Sequence, residues 1–288
     1  MKTISALRPR HWLKNLLVVV APLSAGSITL PTSLQLLVAF AALSLAASSM
    51  YLVNDVLDRS KDREHPSKRL RAIASGIVSP AQALVLSSVL GVLSGVFGWY
   101  LSPSFFGLVM SYLFATLVYS IWLKSAPAVD IVTLAGFFVL RIFAGGLATG
   151  TDVSTWLLAT SFFAFLSIAA AKRVVELRFV VEKVEGQLNN GRGYVASDLG
   201  PVQTAGIGVG ISSALLLGLY VETGIGAASF SNPQVLWLTV PLWTYWILRF
   251  WIIVSRGKVD HDPIEFVLRD WISYLVIGAF VLLLVVAQ

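Results

Sequence analysis

The chain reads as an all-α integral membrane protein, one domain covering residues 1–288 with nine transmembrane helices and partly helical cytoplasmic loops. Three observations point there. Of 288 residues, 57% are hydrophobic and 12% charged, where a soluble domain carries about 25% charged residues. Apolar stretches of about 20 residues recur along the chain, the length a spanning helix needs. Basic residues alternate sharply from loop to loop.

The spans are expected at about 15–30, 33–53, 81–101, 104–123, 128–148, 154–172, 202–221, 234–253 and 270–287. Backbone inside a bilayer must satisfy its own hydrogen bonds, so these runs are helices rather than open strands. The first follows a basic segment, as a signal peptide would. No small-residue cleavage site follows and further spans come after, so it is read as retained. The second runs into the acidic stretch Asn54-Asp55-Val56-Leu57-Asp58-Arg59-Ser60-Lys61-Asp62-Arg63. The fifth contains Arg141, and the sixth ends at Lys172-Arg173.

Of the 21 basic residues, all but Arg141 fall in alternate loops or at the N-terminus. The loops near 28–33, 102–104, 149–154 and 222–233 carry no Lys or Arg. The positive-inside rule then places the N-terminus and the long second and sixth loops in the cytoplasm, with the cell membrane as the location. Gln288 falls on the far side.

Composition also excludes chemistries. There is no cysteine, so no disulfide, thiolate metal site or cysteine nucleophile exists. His11, His65 and His261 lack zinc-site spacing. No phosphate-binding glycine loop of the nucleotide-binding kind is present. The net charge of +6 is spread over successive loops without a recognition module, which argues against nucleic acid.

Carboxylates near a bilayer are costly and mark function. On a continuous helix Asn54, Asp58 and Asp62 fall at i, i+4 and i+8, with Asp55 three residues before Asp58, so all four share about one face. Oxygen ligands on one face, completed by water and phosphate, suit Mg²⁺. The bland alternative is a solvated helix end. Arg141 lies well inside an apolar run and is expected to face a polar cavity rather than snorkel, with Gly145 and Gly146 allowing close approach. Lys14 and Asn15, after Arg8, His11 and Trp12, are either interfacial anchors or ligands. Tyr119 and Lys124 carry the same ambiguity. Lys172, Arg173 and Glu176, followed by Arg178, form either an internal salt bridge or an anion site with one acid orienting two bases.

The pattern Asn54-Asp55-x-x-Asp58-x-x-x-Asp62, ending a second span, resembles the first aspartate motif of the UbiA superfamily of intramembrane transferases. The nine spans and Tyr119…Lys124 are similar to that family as well, and the resemblance covers nearly the whole chain. Members that transfer a prenyl group have a second Asp-rich motif after the sixth span. Here that place reads Lys172-Arg173-Val174-Val175-Glu176-Leu177-Arg178, one acid among three bases. The sequence is most similar to the branch that moves phosphoribose from phosphoribosyl diphosphate onto a polyprenyl (decaprenyl) phosphate, a step toward cell-wall arabinan and arabinogalactan.

That resemblance implies a UbiA-type bundle in the lipid bilayer and a Mg²⁺-dependent phosphoribosyltransferase. It implies metal on Asn54 and Asp58, and chemistry at Asp55, Asp58, Asp62 and Glu176. Substrate contacts are expected from Lys14, Asn15, Tyr51, Arg63, Lys68, Arg69, Tyr119, Lys124, Arg141, Lys172 and Arg173. Lys172 and Arg173 are assigned to the lipid phosphate, with Glu176 orienting them. The alternatives are a prenyltransferase acting on an aromatic or other acceptor and, in a different class, a transporter. The polar groups gather at one membrane face without an inverted repeat, which disfavours transport. The homo-oligomeric state and the role of Asp260 and Asp262 are left open.

Overall fold

A computed structural model describes residues 6–64, 68–183, 192–223, 230–259, 262–267 and 269–287, with only the backbone for 179–183. His65, Asp260 and His261 lie outside the described residues. Among those described there are helices and turns and no strand. The long helices are α1 (Leu30–Leu57), α2 (Pro80–Leu101), α3 (Pro103–Ile121), α4 (Val129–Thr149), α5 (Thr155–Lys183), α6 (Leu199–Glu222), α7 (Thr239–Ser255) and α8 (Trp271–Ala287).

Among the described residues seven segments are long and apolar enough to cross a membrane, matching the second to eighth expected spans. The expected first span is instead a 3-10 helix, Pro9–Val19, followed by the five-residue helix Val20–Ser24. The expected ninth is α8, with 17 residues. Among the described residues, seven helices thus meet the length and hydropathy of a crossing, and the expected nine are not reached. The expected start of the sixth loop also differs. Helix α5 continues through Lys172 and Arg178 to Lys183 because Val174 and Leu177 are fully buried on one side of it. Burying one apolar stripe keeps a charged segment helical past the span.

Local sequence explains where three spans begin. Thr29 and Ser79 cap α1 and α2 in capping boxes with Thr32 and Gln82, and Ser102 caps α3 through the Phe105 amide. Each cap precedes a proline in the first turn. A hydroxyl at the cap satisfies an orphan amide, and proline there removes one.

The chain divides into two compact units. The first comprises residues 1–23, 27–124 and 140–152. In it α1 packs on α2 through small hydroxyl residues. Ser49 and Ser87 hydroxyls meet at 3.0 Å, and Ser94 donates to the Ala42 carbonyl at 2.7 Å. In lipid, such small residues bring helices close enough for dispersion contacts and hydrogen bonds to hold them. Gly145 shows how tight this packing is, since a Cβ there would lie 1.8 Å from the Val18 carbonyl oxygen.

The second unit comprises residues 24–26, 125–139 and 153–288. Its core stacks Trp243 on Trp246 (5.0 Å) and Trp246 on Phe250 (5.3 Å). Ser167 receives the Trp251 indole N–H at 2.8 Å and donates to the Gly206 carbonyl at 2.7 Å. Arg249 grips Asp270 with both terminal nitrogens at 2.7 and 2.8 Å, and Asp270 accepts the Ser273 amide at 2.9 Å, capping α8. Burial pushes the Asp270 carboxyl up, but hydrogen bonds from Arg249 and Ser273 outweigh it and leave the pKa below the ordinary value.

Two outcomes follow. Gly145→Ala forces the backbones of Val18 and α4 apart, so the melting temperature falls by several degrees or folded yield is lost. Thermal unfolding in detergent checks this. The contribution of Asp270 is present above the ordinary carboxylate value of about 3.9 and is lost as pH falls below it. Asp270→Asn therefore destabilises the protein at pH 7 and flattens the acid limb of its stability-versus-pH curve.

Candidate functional site

Helix α1 does not run through the acidic motif. It ends at Leu57, Asp58 is its C-cap (φ −89°, ψ 4°), and Arg59–Glu64 forms a separate short helix. The four polar residues therefore do not share one continuous face. The break sorts them into two sets.

The first set is Asn54 and Asp58. The Lys124 ammonium lies 2.6 Å from Asp58 Oδ1 and 3.5 Å from Asn54 Oδ1, and Asn54 Nδ2 donates to Asp58 Oδ2 at 3.0 Å. Lys124 reaches them from the 3-10 turn Leu123–Ser125, which follows α3. The second set is Asp55 and Asp62, both 4% exposed. Asp55 Oδ1 accepts Arg8 at 2.6 Å and Arg71 at 3.1 Å, and Arg71 also donates to Asp62 at 2.6 Å. Asp55 and Asp62 are thus occupied by arginines, whereas Asn54 and Asp58 point oxygens at the Lys124 ammonium.

Those two residues fit Mg²⁺. Two oxygens already converge on a positive charge, and the Asp58 side chain is 23% exposed. Magnesium uses one or two carboxylates and takes its other ligands from water and substrate phosphate. Among the described residues no group of three or more His, Asp or Glu converges into a fuller metal cage.

Arg141 is buried at 6%. Its Nε donates to Asn15 Oδ1 at 2.8 Å, a terminal nitrogen donates to the Tyr112 hydroxyl at 3.1 Å, and Asn15 donates to Ser44 at 3.0 Å. Arg141 does not snorkel; it joins a polar network inside the first unit. Tyr51 carries the Arg8 guanidinium over its ring at 4.9 Å and packs on His11 at 5.3 Å. Arg63 donates to the Ala74 carbonyl at 3.0 Å and so ties down the loop after the motif. Lys14, Lys68 and Tyr119 are half-buried in the same unit, and Arg69 is exposed.

In the second unit Arg173 is 1% exposed and lies between two acids. Its Nε is 2.7 Å from Asp130 Oδ2, and a terminal nitrogen pairs with Glu176. Arg192 meets Glu176 at 3.2 Å. The Tyr194 hydroxyl donates to Asp130 at 2.6 Å and accepts the Ala128 amide at 2.8 Å. Ala128 is left-handed (φ 64°), and Gly193 lies so close that a Cβ would be 2.3 Å from the Ser125 carbonyl. Burial, then the bond to Asp130, pushes the Tyr194 pKa well above the usual phenol range. Arg173 is therefore enclosed by carboxylates, while Lys172 beside it is half-buried. Asp262 bonds the Ile264 amide at 2.9 Å and starts the short helix Pro263–Val267.

Sequence reasoning missed Arg8, Arg71, Asp130 and Tyr194 as partners of the motif residues. Arg8 and Arg71 lay in view as basic residues near the acids, but nothing in their spacing said that both close on Asp55.

A model of the UbiA prenyltransferase family matches residues 15–286. The chain belongs to that family. This UbiA-family chain is 33% identical over 285 residues to the decaprenyl-phosphate phosphoribosyltransferase of Mycobacterium tuberculosis H37Rv, covering 96% of the chain and 91% of that protein. It is 31% identical over 280 residues to nodulation protein NoeC of Azorhizobium caulinodans, covering 96% and 90%. A UbiA homologue from Archaeoglobus fulgidus, solved bound to DMAPP and Mg²⁺, shares the fold with a TM-score of 0.73 at 18% identity over 100% of both chains. The UbiA resemblance carried by the aspartate motif therefore holds over the whole chain. This UbiA-family member is a multi-pass membrane protein of a transferase family.

The Lys124 ammonium occupies the position that a metal would share with Asn54 and Asp58. Lys124→Met removes that tethered cation. Manganese binding to the donor-free protein, followed by electron paramagnetic resonance, should tighten about tenfold, because one positive charge no longer competes. Unchanged or weaker manganese binding would remove Asn54 and Asp58 from the metal site.

Proposed function

We propose that this protein transfers 5-phosphoribose from phosphoribosyl diphosphate to a polyprenyl phosphate and releases diphosphate. The observation that carries this reading is the unequal charge of the two units. One carries the oxygen pair Asn54 and Asp58 with Lys124. In the other, the segment where prenyl-transferring relatives have a second acidic motif holds Lys172, Arg173 and Glu176, joined by Arg192. A single metal-bearing motif suits one diphosphate, and a basic segment suits a separate phosphate. Relatives named decaprenyl-phosphate phosphoribosyltransferase at 30–33% identity over nearly the full chain support it.

In this reading residues 1–288 act as one domain of the cell membrane, with the N-terminus and site cytoplasmic, where the soluble donor is found. Asn54 and Asp58 would hold Mg²⁺, which would supply charge neutralisation for the leaving diphosphate. Lys124 moves from Asp58 to the diphosphate as the donor enters. The C1–O bond to diphosphate breaks with its electron pair leaving on oxygen. An oxygen of the acceptor phosphate forms the new bond to C1 from the opposite face, with inversion. A phosphate monoester is largely ionised near neutral pH, so no strong general base is needed, and the protein's work is positioning and charge stabilisation.

Asp55 and Asp62 act by fixing Arg8 and Arg71. Arg141 and Asn15 form a buried polar floor, and Tyr51 is a platform for Arg8. Lys14, Lys68, Arg69 and Tyr119 are retained as donor contacts. Lys172 contacts the lipid phosphate. Arg173, enclosed by Asp130 and Glu176, positions Lys172 rather than touching the ligand. The product serves arabinan precursor synthesis for the cell wall.

The family's name favours a second reading, transfer of a prenyl group from prenyl diphosphate to an aromatic or other acceptor. Purified protein given labelled phosphoribosyl diphosphate with polyprenyl phosphate should release diphosphate, while prenyl diphosphate with an aromatic acid should give none. The reverse would establish the second reading. Asp58→Ala should lower turnover at least a hundredfold with the melting temperature within a few degrees, since Asp58 is a partly exposed helix cap. Wild-type turnover in that variant would remove Asp58 from the mechanism.

A further inference from the structure

A cavity of about 410 Å³ opens in the first unit beside Asp55, lined by Arg8, His11, Leu70 and Arg71 among others. Its size is in the range of small-molecule sites. The charges in its wall are ordered by depth. The Asp55 and Asp62 side chains are 5% exposed, whereas those of Arg8 and Arg71 are 20% and 28% exposed. The negative groups lie behind and the positive groups in front, so the face offered to a ligand is basic although the four side chains balance.

The guanidiniums are also held in place. One oxygen of Asp55 takes Nη2 of Arg8 and Nη1 of Arg71, from residues 47 and 16 positions away in the chain. Arg71 uses the same Nη1 on Asp62. Arg8 lies over the Tyr51 ring, and its backbone adopts φ 53°. A left-handed non-glycine residue costs on the order of 1 kcal/mol and persists where surrounding contacts over-determine it. A guanidinium has five N–H donors. These contacts use one terminal nitrogen of each, and the rest of each fork is left for a ligand. Fixed arginine forks match phosphate oxygens bidentately.

We infer that Arg8, His11 and Arg71 form a subsite for a phosphate monoester, separate from the diphosphate position at Asn54, Asp58 and Lys124. Asn54 and Asp55 are successive helical residues, about 100° apart around α1. A ligand bearing a diphosphate at one end and a monoester at the other can therefore address both sets at once. This rests on the phosphoribosyl-transfer reading, in which the donor's 5-phosphate is such a monoester. The acceptor's lipid phosphate has the same chemistry.

Binding to the full-length protein in nanodiscs separates these sources, with ribose 5-phosphate, farnesyl phosphate and magnesium diphosphate as probes. Arg8→Gln should weaken ribose 5-phosphate about tenfold or more and leave magnesium diphosphate within about twofold, the loss of one charge-assisted contact. Leu70→Asp places a negative charge at the rim and should weaken the same probe several-fold. Leu70 is 77% exposed, so this variant carries the test even where Arg8→Gln lowers the folded yield. A selective loss of farnesyl phosphate supports the subsite and assigns it to the lipid. Unchanged affinity for both monoesters in both variants overturns it, as does an equal loss of magnesium diphosphate. Monoester binding that responds to these variants in a protein with no turnover of phosphoribosyl diphosphate would overturn the donor reading and leave the subsite standing.

Discussion

The buried carboxylate of Asp55 is the constraint on which the first unit's site depends. At 4% exposure an ionised carboxylate costs several kcal/mol unless partners replace its water. Arg8 and Arg71 supply that replacement from the segment before the first helix and the loop after the motif. Three separate stretches of chain are thereby fixed around one oxygen. Removing either arginine leaves a charge stranded, so the arrangement is held from both sides.

That constraint explains why the acids of one motif divide their work. With α1 ended at Asp58, Asp55 and Asp62 turn toward arginines while Asn54 and Asp58 meet Lys124. The first pair builds the frame. The second remains partly exposed and holds the Lys124 ammonium. The motif by residue type offers three aspartates and one asparagine. Arginines take Asp55 and Asp62, and the pair that is left, Asn54 and Asp58, suits a metal that completes its shell with phosphate oxygens.

Much of the fold was legible because hydropathy is a local property. Seven expected spans were found at nearly the expected limits. The N-terminal run was not read correctly, because apolar composition does not distinguish α winding from the 3-10 winding of Pro9–Val19. Helical character in the charged sixth loop was legible from residue spacing, but its continuity with the span as one helix to Lys183 was not, because that depends on the burial of Val174 and Leu177. At the site, the acids and Lys124 were legible by residue type and motif. The break at Asp58 was not, since i, i+4 spacing presumes an unbroken helix. The pairs Arg8–Asp55 and Tyr194–Asp130 span 47 and 64 residues, separations across which spacing carries no signal.

In the second unit the same logic applies to the segment around Arg173 and Glu176. Arg173 is almost fully enclosed, with Asp130 at 2.7 Å and Glu176 beside it. Glu176 also holds Arg192, and Asp130 also holds Tyr194, which in turn fixes the Ala128 turn. Two acids thus organise two arginines and a tyrosine. A segment so arranged is a frame around positive charge. Lys172 lies half-buried next to Arg173 on the same helix. The enclosure of Arg173 by two carboxylates is the feature of this segment on which the proposed phosphate contact depends.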